Sequence, residues 1–432
     1  MAKPYFNFHS PFLGGGMFCE ARSISVRRHN GKSPSMVRGT GCYLYDAEGK
    51  AYLDMSGGSG AANLGYGRQE IIQAIRHQAE LLIHTGWNID NPHRHALIER
   101  LALVVPFKNA SVMGAVTGAE AIEVALKIAR AKTGRNCVLY FSNAFHGKTQ
   151  GALAVSSNKL FRKHIPADAV EYPCFSLESC YPDIGEDTSD WSSSFRRYLD
   201  TLEEARGQLP AAIVVEPIQA AEGVHPLPSW TLETILRVGL ERGVITVFDE
   251  IYTGFGRTGD PFVSRQGMVP DLLVVGKALG NGLPISAIIG DPQLVDLLTY
   301  SEHSSTFTFM PLACAAACAV VDLYCSERPW ENANSVGLHL RASLDRLAQQ
   351  DSRISLVRGR GLMLACDVDD PEGAQQSQPL SARLRDKLEE LGVIVRTGGQ
   401  RPSTIKMTPP LVISKREVDI FVSAFSCALS SV

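Results

Sequence analysis

Residues 244–259 read VITVFDEIYTGFGRTG, and the order of residue types in this stretch decides the architecture. Val244 to Phe248 form a run of strand formers that ends in Asp249 and Glu250, after which the chain turns glycine-rich. Burying such a strand is ordinary, but an unpaired carboxylate at its end is costly, so a cation or a positively charged ligand atom is expected beside it. Outward from this point the pattern repeats. AAIVV stops at Glu216, and LLVVG stops at Lys277. The helical patterns GAEAIEVALKIARAKTG and TLETILRVGLERG alternate with the strand patterns CVLYF and SAIIG. Such alternation predicts an α/β fold with a mostly parallel sheet and helices on both faces. Ligands in such sheets bind at the carboxyl ends of the strands, where Glu216, Asp249 and Lys277 all fall.

The chain changes character after PLACAAACAVVDLYCSE. A polar helix near 333–349 is followed by the short strands LMLACDV, VIVR and TIKM and by helices near 379–391 and 415–430. Near the start, TGCYLYDAEGKAYLD reads as a hairpin. The expected division is an N-terminal segment, 1–65, that belongs to a small α+β domain, a large domain, 66–325, and the rest of the small domain, 326–432. Residues 196–206 read as a helix. The stretches 174–192 and 368–380 read as polar, exposed loop insertions.

Bulk properties exclude several classes. A net charge of -3 over 432 residues gives no reason to expect nucleic acid or an anionic membrane as a partner. No apolar run approaches the roughly 18 residues of a membrane span, and the N-terminus carries no signal-peptide pattern. The ten cysteines are scattered, with no CxxC pair and no His/Cys set at zinc spacing. No metal site and a reduced, cytoplasmic compartment are the expectation.

A desolvated lysine at a sheet's carboxyl edge can form a Schiff base with an aldehyde. Pyridoxal 5'-phosphate requires such a lysine, together with a carboxylate that keeps its pyridine nitrogen protonated. Lys277 and Asp249 supply that pair, although a structural salt bridge would use the same two residues. A phosphate belongs where backbone amides gather at a helix start, and VTGAEAIEVALK offers Gly118, Ala119 and Glu120. Phe145, after CVLYF, is placed either to stack on a flat ring or to pack in the core.

TGAEAIEVALKIAR, FHGKT, VVEPIQ, FDEIYTGFGRTG, VVGKALGNGLP and STFTFMPLACAAA, in that order, resemble the successive motifs of class III pyridoxal-phosphate aminotransferases, the ω-aminotransferases of fold type I. The resemblance runs from about residue 36 to 428. It implies that Lys277 holds the cofactor and shuttles the proton, and that Asp249 pairs with the ring nitrogen. Ile251 and Phe145 would pack on the two ring faces, with Gly118 and Ala119 giving amides to the phosphate. Glu216 and Gln219 would lie near the cofactor. Thr306 would reach the phosphate of a neighbouring subunit, which implies a homodimer with shared sites. The reaction implied moves an amino group from an amine donor to a keto acid or aldehyde through a pyridoxamine phosphate intermediate. The alternative is an intramolecular aminomutase related to the same family.

Substrate choice is expected in the carboxylate clamps, because arginine binds a carboxylate through two parallel bonds and lysine does not. Relatives acting on ornithine or 4-aminobutyrate often carry arginine where this chain has Lys148. Ornithine-type relatives carry arginine near Lys406 and an acidic residue at the position of Ala221. These differences point to a primary or ω-amine donor other than ornithine or 4-aminobutyrate. Arg396, in VIVRTGG, is the expected clamp for the acid co-substrate, with Arg401 and Lys406 as competitors. Gly60 is expected to leave space for a bulky or polar substrate, and Glu222 could meet a second amino group.

Overall fold

The structure is a computed structural model, and it describes residues 34–163, 172–177, 180, 188–264, 267–299, 301–369, 378–399 and 402–432. A seven-stranded sheet forms its centre, in the order Ser111–Ala115, Ser286–Gly290, Leu272–Val275, Ile245–Asp249, Ala212–Val215, Val138–Phe141 and Cys174–Phe175. Only Ser286–Gly290 runs antiparallel to its neighbours. The α/β expectation therefore holds.

Alternation along each strand puts successive side chains on opposite faces, and both faces are covered. Val138, Val214, Val247, Val274 and Ile288 share one core with Ile122, Leu126 and Ala129 of helix Gly118–Thr133. Leu139, Ile213, Phe248, Leu273 and Ile289 face the other core, with Phe195, Ile235 and Val238 of helices Thr188–Arg206 and Ser229–Arg242. Each fully buried Val, Leu or Ile contributes about 1.5–3 kcal/mol. Helix Gly118–Thr133 stops where Gly134 takes up a left-handed conformation (φ 69°).

Of two further sheets, one joins the N-terminal hairpin to a strand of the C-terminal part, and the other lies wholly within the C-terminal part. The strands Tyr43–Asp46 and Ala51–Asp54 form the expected hairpin, and Val393–Ile394 adds to it in parallel beside Leu53 and Asp54. An antiparallel sheet joins Ile354–Arg360, Met363–Val368, Thr404–Met407 and Arg396–Thr397 in that order.

The stretch 174–192 is not simply an exposed insertion. Cys174–Phe175 extends the large sheet beside Tyr140 and Phe141, and the helix expected over 196–206 begins at Thr188. Its Trp191 is buried and stacks on Phe195, which in turn packs on Phe175. Trp191, Phe195, Leu199 and Leu202 recur at helical spacing, a stripe hidden by the serines among them. Most of 368–380, and Arg401, lie outside the described residues.

Candidate active site

Six parallel strands end on one edge of the sheet, and five of them lead into residues of the site. Asp249 closes its strand at 5% exposure. Its Oδ2 accepts from His146 Nδ1 at 2.8 Å and its Oδ1 from the backbone amide of Ile251 at 3.0 Å. These contacts fix the carboxylate and leave one lone pair on each oxygen. Glu250 turns away. It accepts from the amides of Val263 and Ser264 and from the hydroxyls of Thr253 and Ser264, so it holds the loop.

Lys277 follows the neighbouring strand Leu272–Val275 and sits at φ +41°, in the left-handed region. Its Nζ lies 3.5 Å from the centroid of the Tyr252 ring. Burial pulls its pKa down to about 8, against the attraction of Asp249 and Glu216. Glu216 stands on the other side of Asp249, with its strand paired to the same central strand. It accepts from the amides of Phe145 (2.9 Å) and Ala220 (3.2 Å), and burial pushes its pKa up to about 7. Gln219 is fully buried and donates to Ser142 O at 2.6 Å.

Across from this group, Gly118 opens its helix after Thr117, whose hydroxyl caps Glu120 N at 3.2 Å. The first amides of a helix have no intrahelical acceptor and carry positive potential. A Cβ on Gly118 would come within 2.6 Å of Ile251 Cδ1, and one on Gly147 (φ 142°) within 2.6 Å of Ala119 Cβ. The cradle is therefore built to a tolerance of one methyl group. Phe145 is half-buried, with its ring edge-on to Phe161 at 5.6 Å.

The mouth of the site collects charge. Lys406 Nζ donates to Ala221 O at 2.7 Å, so a carbonyl occupies the place where an acidic side chain is missing. Burial lowers the Lys406 pKa to about 8, countered chiefly by Glu222, while Arg396 pushes it further down. Arg396 is exposed and lies directly opposite Lys406 in the antiparallel register. Glu222 is 4% exposed, held by Asn158 Nδ2 at 3.2 Å to each oxygen, and its pKa is raised by burial. Exposed Lys148 rests over the Phe161 ring at 4.1 Å.

One expectation is corrected. The space beside Gly60 is taken by Tyr252, since a Cβ there would meet the tyrosine Cε1 at 2.4 Å. Thr306, expected to serve a neighbouring subunit, is exposed on the segment leading to helix Pro311–Glu327, beside exposed Phe307.

Sequence reasoning did not single out His146, Tyr252, Asn158 or Arg257. The signal for His146 was its place directly after Phe145 beyond a strand end. Arg257 is fully buried and donates to Leu362 O (2.8 Å), Pro409 O (2.6 Å) and Asn63 Oδ1, which pins the FGRTG turn to three distant segments.

A lysine and a hydrogen-bonded, buried aspartate at neighbouring strand ends, facing a helix N-terminus, define a fold type I pyridoxal-phosphate-dependent transferase. The family model for class-III aminotransferases matches residues 25–429, and the chain belongs to that family. It is 30% identical over 431 residues to a diaminobutyrate–2-oxoglutarate aminotransferase of Rhizobium meliloti, covering 95% of this chain and 91% of that one. It is 32% identical over 405 residues to an acetylornithine aminotransferase of Methanosarcina mazei, covering 93% and 94%. Among solved structures, an amine transaminase from an uncultivated Pseudomonas species in its PLP-bound form is similar at a TM-score of 0.84 and 29% identity, covering 97% and 99%.

The chain is thus an aminotransferase, its cofactor is pyridoxal 5'-phosphate, and an amine donor and a keto-acid acceptor fit its chemistry. The exclusion of ornithine-type donors is not upheld, since the relatives include enzymes named for diaminobutyrate and acetylornithine. Lys406 replaces arginine's fork but keeps a cation on that strand, so losing the fork does not exclude a carboxylate-bearing substrate. Among the described residues no helix is long and apolar enough to cross a membrane, and no cluster of three metal-ligating side chains forms.

Proposed function

We propose that this aminotransferase takes a primary or ω-amine as donor and exchanges its amino group and hydrogen for the carbonyl oxygen of a keto acid or aldehyde. The observation that carries this reading is the placement of Lys277 beside an Asp249 already held by His146 and Ile251. When bound, pyridoxal 5'-phosphate supplies an electron sink for the carbon that loses its proton. Asp249 would accept from the ring nitrogen through one of its remaining lone pairs. The first amides at Gly118 and Ala119 would hold the phosphate, while Ile251 and Phe145 would bound the ring. Lys277, with its proton affinity lowered by burial, takes the proton at the substrate carbon and returns it.

Arg396 and Lys406 meet the acid's carboxylate, and their shared position opposite one another in the sheet supports this. Lys148 borders the substrate. Thr306 serves a second copy, which the exposed apolar Phe307 and Ile83 support as a homodimer surface. The pairing of Val393 and Ile394 with Leu53 and Asp54 supports one small domain built from both chain ends around the large one. The scattered cysteines support a cytoplasmic setting.

The test mixes cofactor-loaded protein with a panel of amines and no acceptor. The bound cofactor's visible absorbance should shift stoichiometrically as one carbonyl product appears, and Lys277→Ala should abolish this. Turnover by Lys277→Ala would overturn the reading. Isomerised donor without a carbonyl product would instead establish an aminomutase.

A further inference from the structure

Tyr252 has no assigned part, yet it touches the residue on which the reaction depends. It stands three residues past Asp249 and turns its ring face to Lys277 Nζ at 3.5 Å. Its hydroxyl lies 3.1 Å from Thr408 Oγ1, which itself donates to Ser56 O at 3.0 Å. Threonine has one hydroxyl proton, and it is spent on Ser56, so the phenol must donate to Thr408. That bond ties the ring's far end to two segments distant in sequence and keeps the phenolic proton away from Lys277. Gly60 completes the arrangement. A Cβ there would lie 2.4 Å from Tyr252 Cε1 and 2.8 Å from Cδ1, so only glycine admits the ring.

We propose that Tyr252 is a positioning residue for Lys277: its ring face holds the lysine's nitrogen as a cation whenever that nitrogen is not engaged with the cofactor, and Gly60 is the vacancy that lets the ring stand there. The inference rests on the aminotransferase reading only for its consequence. The contact itself belongs to the polypeptide. An aromatic face attracts an ammonium most where water is displaced, and Lys277 lies in such a place. Asp249 and Glu216 also favour the ammonium, while Lys406 and Arg257 oppose it. None of these four is altered by a change at residue 252. Transamination frees the lysine once per half-reaction, and the ring gives the released side chain one resting position next to the substrate carbon.

The test is the pH dependence with which Lys277 reacts with a small amine-acylating reagent, read by peptide mass spectrometry on the full-length, cofactor-free chain. The pH midpoint of the loaded protein's visible absorbance is a second readout. Tyr252→Leu keeps an apolar cover but has no ring face, and it should lower the labelling midpoint by about one pH unit. Tyr252→Phe, which keeps the face and loses the hydroxyl, should stay near the parent. Gly60→Ala must displace the ring and should move the midpoint the same way. Adding it to Tyr252→Leu should produce no further shift. An unmoved midpoint in Tyr252→Leu, or an equal fall in Tyr252→Phe, would overturn the proposal. If Lys277→Ala kept turnover, the aminotransferase reading would fail while the labelling result still decided the role of Tyr252.

Discussion

Replacing His146 with phenylalanine removes one of the two donors that hold Asp249. Both side chains are buried, so water does not replace the lost N–H. A hydrogen bond to a charged group contributes about 1.5–3 kcal/mol. At about 1.4 kcal/mol per factor of ten, that corresponds to a loss of roughly 10- to 150-fold in kcat/KM, provided the bond persists in the transition state. His146→Asn can present an amide N–H near the position of Nδ1 and should keep most of the rate. The assay is the single-turnover half-reaction with an accepted amine across pH 5–9, with thermal melting to confirm folding. A folded His146→Phe that matches the parent rate, or His146→Asn as impaired as His146→Phe, would refute the reasoning.

Lys406 should impose its own pH dependence. Burial holds its pKa at about 8, so the cation is present below that pH and lost above it. The kcat/KM for a keto-acid acceptor should fall as pH rises through about 8, until only Arg396 remains to attract the carboxylate. Lys406→Arg stays charged throughout and should flatten the fall. An unchanged break in that variant would show that Lys406 is not the clamp. At the opposite end of the site, Gly118→Val places methyl groups where Ile251 already lies 2.6 Å from a single Cβ. Cofactor binding, followed by absorbance titration, should weaken about tenfold or more, equivalent to a loss near 1.4 kcal/mol. Unchanged affinity would remove this helix start from the binding site.

The large sheet was legible because its strands combine strong apolar runs with terminal polar residues, and both signals survive in a one-dimensional reading. Glu216, Asp249 and Lys277 were visible for that reason. The helix beginning at Thr188 was partly missed because its buried stripe of Trp191, Phe195 and Leu199 is separated by serines and arginines that lower the average hydrophobicity. The correction at Gly60 has a different origin. Sequence shows that a glycine removes a side chain, but it does not show which neighbour fills the space. Tyr252 lies 192 positions away and arrives there only because the central strand and the N-terminal segment meet.

The same limit explains the substrate question. Lysine at 406 reads as a weaker carboxylate clamp than arginine, and in isolation it is one. In the fold, Lys406 is anchored on Ala221 O, pulled toward its charged form by Glu222 and pushed from it by Arg396. Glu222 is buried and held by Asn158, so it cannot leave without exposing that cation to an imbalance. A substrate carboxylate entering here adds a second anion to two cations and a fixed glutamate. A second ammonium on the substrate instead competes with Lys406 for Glu222. If the proposed clamp holds, specificity would depend on the charge balance among Lys406, Glu222 and Arg396 rather than on any one of them. Glu222→Gln separates the two cases. It strengthens the response to dicarboxylate acceptors if the cations govern binding, and it selectively weakens diamines if the carboxylate does.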